Sequence, residues 1–99
     1  MNAQFQEKLE SFVAGCQAIC EANHAGYSKI TVDPKGVKYA RIVSEHGGSR
    51  SVHCFVNREN GDVLKAATWA APAKHARGNI FDEHNGLKNM RWTGPAYLR

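Results

Sequence analysis

Apolar residues recur along the first quarter of the chain with a helical period. Phe5, Leu9, Phe12, Val13, Cys16, Ile19 and Cys20 fall on one stripe, and Glu7, Lys8, Glu10, Gln17 and Glu21 fall between them. That spacing predicts an amphipathic helix over about residues 3–23, ended by the left-handed-tolerant run Asn23 to Gly26. Beyond Gly26 the period drops to two. Lys29–Val32 reads as a short apolar strand, set off by Pro34 and Gly36 from a longer one, Val37 to Glu45. Gly47-Gly48 offers the positive φ angles of a tight hairpin, and Arg50–Asn57 follows as its second strand. Asn57 to Asp62 reads as a second hairpin turn with Gly61 left-handed, returning through Val63 to Thr68. The expectation is an α+β chain with one domain over residues 1–99: a helix packed on a three-stranded antiparallel meander, or a four-stranded one if Lys29–Val32 joins it.

After Trp69 the pattern weakens. Pro72 suits the first turn of a short second helix and Gly78 its end. From Ile80 onward Gly86, Gly94 and Pro95 break any period, which predicts an irregular C-terminal segment anchored by Phe81, Trp92, Tyr97 and Leu98.

If both hairpin loops are even in length, strand parity sorts the meander into two faces. One carries Ala40, Ile42, Phe55, Leu64 and Ala66 beside His53 and Thr68, and is the expected seat of the helix. The other carries Val37, Tyr39, Val43, Val52, Cys54, Val56, Val63 and Ala67, with Arg41 and Lys65 flanking Cys54. Two cations on an apolar surface have two explanations: long stems lying on that surface with their charged ends in water, or a platform for anions with Tyr39 available for stacking. So apolar a face also calls for a cover, either the C-terminal segment or a second copy in a homodimer.

Composition narrows the functional classes. The chain has 99 residues, 42% hydrophobic and 22% charged, close to the globular average, and no apolar run approaches the roughly 20 residues of a membrane span. The N-terminus lacks the layout of a secretion signal, and three cysteines, an odd number, fit a reducing compartment, so a cytoplasmic location is expected. Charge is uneven. Residues 1–64 hold equal numbers of cations and anions, whereas Lys65, Lys74, Arg77, Lys88, Arg91 and Arg99 face only Asp82 and Glu83 beyond them, so the whole net charge of +4 lies in the last third. Such a bias favours polyanionic partners, although a plain solvated surface has the same composition.

Three groups of residues carry candidate chemistry. Cys16, Cys20 and His24 repeat every four residues and, with His46, His53 or Cys54 as fourth donor, have zinc-ligand types; the competing role of the two cysteines is as small core hydrophobes. No Cys/His pair shows a nucleophile signature, and His53 beside Cys54 should point to the opposite face, so no catalytic function and no cofactor are expected. Lys65 to Asn79 combines Lys65, Lys74 and Arg77 with Trp69, His75 and an expected helix start, the elements of a phosphate or nucleic-acid site. The bland alternative is a tryptophan that anchors the C-terminal segment beside an exposed basic helix face.

The stretches NGDVLKAATW, APAKHARGNIFD and GPAYLR resemble small proteins encoded by tailed phages, over roughly residues 38–99. The resemblance implies work inside an infected bacterium, where such proteins bind nucleic acid or block host machinery, and it carries over no site residue. The resulting expectation is a small non-catalytic binding protein for nucleic acid or another phosphate-rich ligand, using Tyr39, Arg41, Lys65, Trp69, Lys74, His75 and Arg77. The alternative is a module that inhibits a host enzyme or defence component, including one that sequesters a nucleotide signal.

Overall fold

The computed structural model describes residues 3–22, 28–33, 36, 38–88, 90–91 and 94–95. Helix α1 spans Ala3–Ala22 and buries Phe5, Leu9, Phe12, Cys16 and Cys20, the stripe that the spacing defines. Its expected terminator, Asn23 to Gly26, lies outside the described residues, as do Trp92, Tyr97 and Leu98.

Five antiparallel strands follow in sequence order: β1 (Lys29–Asp33), β2 (Tyr39–His46), β3 (Ser49–Asn57), β4 (Asp62–Ala66) and β5 (Pro72–Asn79). The short apolar piece therefore does join the sheet. Gly47 (φ 55°) and Gly48 (φ 86°) both take the left-handed conformation between His46 and Ser49, as a two-residue hairpin needs. Both strands are exposed from Glu45 to Ser51, so this hairpin projects past the packed part of the sheet.

The expected second helix is a strand. Pro72–Asn79 pairs with β4 through Ala66 to Pro72, Leu64 to Ala76, Val63 to Gly78 and Asp62 to Asn79. A helix of about eight residues is marginal in water whatever its alanine content, whereas the open side of β4 offers backbone partners in register. Proline is tolerated at the first position of an edge strand. The reversal at 67–71 contains none of the usual turn residues. Its geometry rests on Thr68, whose Oγ1 accepts the N–H groups of Ala70 (3.2 Å) and Ala71 (3.1 Å), while the N–H groups of Ala67 and Thr68 bond the Ala71 carbonyl.

The parity expectation fails at one bulge. Ile42 pairs with Cys54 but Val43 pairs with Val52, so His53 is an extra residue in β3. This flips β2 against β3. Ala40 and Ile42 share the helix side with Cys54, Val56 and Val63, while Phe55 and Leu64 lie on the opposite face with Arg41. The core is therefore Phe5, Leu9, Phe12, Cys16 and Cys20 of α1 against Ile30, Ala40, Ile42, Cys54, Val56 and Val63, closed by Ile80 and Met90. Each large apolar side chain buried there contributes roughly 1.5–3 kcal/mol.

Because Ile80 and Met90 belong to that core, this part of the C-terminal segment lies on the α1 side of the sheet. The segment is irregular through Leu87, then forms a two-stranded ribbon, β6 (Met90–Arg91) with β7 (Gly94–Pro95). The Asp82 carboxylate holds its turn by accepting N–H groups of Gly86 (2.9 Å), His84 (2.9 Å) and Asn79 (3.3 Å). Phe81, expected as an anchor, is 41% exposed, meets Phe5 at the edge of the core and lies against Gly61.

The two edges of the sheet are closed differently. On β1 the Gln17 side chain accepts the Ile30 N–H (2.9 Å) and donates to the Ser28 carbonyl (3.0 Å). Edge strand β5 uses eight residues against five in β4, so its register shifts twice, and it carries Lys74, His75 and Arg77. Bulges and charges on an edge discourage further pairing.

Candidate anion-binding face

The second face of the sheet is built around Arg41. Its Nη1 bonds Asp33 Oδ2 at 2.8 Å, from the directly paired position on β1, and its Nε donates to the Trp69 carbonyl at 2.9 Å. The pair is mostly buried, with 18% and 11% of the side chains exposed. Above it the guanidinium carbon stands 4.9 Å from the Trp69 ring centroid and 5.9 Å from that of Phe55. Arg41 is thus a pillar between sheet and turn, and Asp33 neutralises its charge.

Trp69 rides on the Thr68 turn with 44% of its surface exposed. A second guanidinium, Arg50, lies 5.6 Å from its ring centroid, brought there by the projecting β2–β3 hairpin. Arg50 is exposed and makes no ion pair among the described residues. Tyr39 meets Phe55 edge-on at 6.2 Å and has Lys38 Nζ 5.5 Å from its own ring, so it is half-buried packing rather than an open platform.

The other expected residues are more dispersed. Lys74 and His75 are exposed on β5, and Arg77, half-buried, donates from Nε to the His75 carbonyl at 3.3 Å. They lie on a strand, not on a helix face with free N–H groups. Lys65 is half-buried on β4 and does not flank Cys54 together with Arg41, whose cross-strand partner is Phe55. The structure therefore joins Arg41 to Trp69, adds Arg50, and leaves Lys74 to Arg77 as a separate basic edge one turn away in sequence. Arg50 and Asp33 escape sequence reading because their roles depend on two pairings, β1 with β2 and β4 with β5, that no motif announces.

Burial explains the thiols. Cys16 is pushed up to about 12 by burial and then by neighbouring Cys20, and Cys54 is raised well above the usual range by burial and then by Cys16. Neutral thiols are poor metal ligands and nucleophiles. Among the described residues no group of three His, Cys, Asp or Glu side chains is arranged to hold a metal, and His24 lies outside them. His53 is 3% exposed, its Nε2 has no hydrogen-bond partner among the described residues, and burial followed by the field of Lys65 lowers it to about 4.

Elsewhere a groove of about 570 Å³ runs between α1 and β1, walled by Leu9, Val13, Ala14, Ile30 and Val32. No described helix is long and apolar enough to cross a membrane.

The profile of a family of unknown function matches residues 2–98, almost the whole chain. The chain belongs to DUF7717. No curated protein and no solved structure matches it. The DUF7717 match covers α1, all five strands of the sheet and the C-terminal ribbon, so helix and second face belong to one family unit.

Proposed function

We propose that the protein is a non-catalytic binding protein for nucleic acid or another phosphate-rich ligand, working in the bacterial cytoplasm. The observation that carries this reading is the Trp69 indole, 44% exposed on the face opposite α1, with the guanidiniums of Arg41 and Arg50 at 4.9 and 5.6 Å. A half-exposed aromatic ring with guanidiniums over it combines the stacking surface and the positive charge that ligands made of bases and phosphates bind. Lys74 and Arg77 on β5 extend the positive charge past the turn. The resemblance to small tailed-phage proteins supports an infected cell as the setting.

Affinity based on cations falls steeply with salt. Fluorescence anisotropy of labelled DNA and RNA at 50 and 200 mM salt tests the reading: binding that weakens by tenfold or more supports it, and flat traces at the lower salt refute it. Lys74→Ala with Arg77→Ala should lower affinity and leave the circular dichroism spectrum unchanged.

A second reading, an inhibitor of a host protein, draws on the apolar groove between α1 and β1, which presents Val13 and Val32 half-buried. A host protein retained on the immobilised chain after nuclease treatment, and lost on Val13→Glu, would favour it.

A further inference from the structure

We infer that the ligand of the Trp69 face is single-stranded nucleic acid, one base of which stacks on the indole while its phosphate meets Arg50. The inference rests on the binding function proposed above and narrows it.

Three observations point this way. The first is that the platform is set before any ligand arrives. Arg41 is fixed by Asp33 at 2.8 Å and by the Trp69 carbonyl at 2.9 Å, and the turn itself is tied by two N–H groups on Thr68 Oγ1. A base that stacks there displaces the exposed Arg50 guanidinium from over the ring and leaves Arg41 and the turn in place, which keeps the cost of binding low. The second is a division of labour between the two arginines. Arg41 has its carboxylate partner, whereas Arg50 on the projecting hairpin has none among the described residues, so it is the cation available to a phosphate. Charge and aromatic surface are thus complementary to an unpaired nucleotide.

The third concerns duplexes. In a duplex the bases stack on one another and present only their edges and the phosphates, so an exposed indole gains nothing from a perfect double helix. Groove reading by a helix also fails here. α1, the only helix among the described residues, turns its apolar stripe to the sheet and exposes Glu7, Glu10 and Glu21 against Lys8. An acidic outer surface is repelled by two rows of phosphates.

The test uses the full chain and three fluorescein-labelled 15-mers at 50 mM salt: oligo-dT, the same length of abasic backbone, and the duplex of oligo-dT with oligo-dA. The expected order is oligo-dT at least tenfold tighter than either of the others. Trp69→Ala should weaken oligo-dT by about 5- to 150-fold, the usual range for loss of one stacked base, and leave the abasic strand unchanged. Trp69→Phe, which keeps an aromatic face and the turn, should recover part of the loss and guards against a folding defect. An oligo-U strand in parallel distinguishes RNA from DNA as the source of the unpaired base, and tight binding of either supports the inference. Equal affinity for oligo-dT, abasic strand and duplex would overturn single-strand stacking while sparing phosphate binding. No binding of any probe would remove both.

Discussion

His53 should make the protein acid-sensitive in a defined window. The imidazole is 3% exposed, its Nε2 has no partner among the described residues, and burial and Lys65 hold it at about 4 instead of 6.5. Above pH 6.5 the ring is neutral in both folded and unfolded chains. Between 6.5 and about 4 the unfolded chain takes up the proton and the folded chain does not, so stability is complete above 6.5 and is lost as the pH falls to about 4. A displacement of that size corresponds to about 3 kcal/mol, a large share of the roughly 5–15 kcal/mol that holds a typical small protein together. Urea unfolding followed by circular dichroism at pH 7.0, 6.0, 5.0 and 4.5, with His53→Leu as comparison, isolates the contribution. Leucine has a similar volume and no proton to gain. The variant should follow the parent through the neutral range and lose about 3 kcal/mol less by pH 4. Two stability curves that run parallel from pH 7 to pH 4.5 would refute the account of His53 as a neutral, buried base.

Gly61→Ala should cost about 1–2 kcal/mol, because φ is 83° there and a methyl group would press on the Phe81 ring; a fall in Tm of about 4–16 °C in calorimetry is the expected result. A double-mutant cycle on Arg41→Met and Asp33→Asn should return a coupling of about 1–3 kcal/mol, between the values for exposed and fully buried pairs, and a coupling near zero would mean that the pair is only a surface contact. Cys16, Cys20 and Cys54 should resist a thiol reagent at pH 8 in the folded chain and react promptly in denaturant; rapid labelling of the native protein would contradict their burial.

The parts of the fold visible in the sequence are those set by short-range rules. The stripe from Phe5 to Cys20 has one low-energy reading, and Gly47-Gly48 and Asn57 to Asp62 each carry the turn chemistry that their backbone requires. What failed depended on contacts distant along the chain. His53 gives no local sign that it is the extra residue of a bulge, yet that one residue decides whether Cys54 or Phe55 faces the helix. Residues Thr68 to Ala71 turn without Gly, Pro or Asn, so Pro72–Asn79 shows its helical propensity and hides its pairing with β4. For the candidate site, Arg41 and Trp69 were visible as residue types with suitable chemistry. Their partnership, the neutralising Asp33 and the arrival of Arg50 were not, because each bridges strands whose pairing the sequence leaves open.

Gln17 occupies two of the backbone groups through which another chain would extend the sheet beside β1, and the kinked, basic β5 disfavours growth on the far side. Stacking of strands from one molecule onto the next, the usual route from exposed β-structure to fibres, is thereby discouraged at both edges. Guarding of this kind on both edges lets a small open sheet stay a separate molecule when copies meet edge to edge.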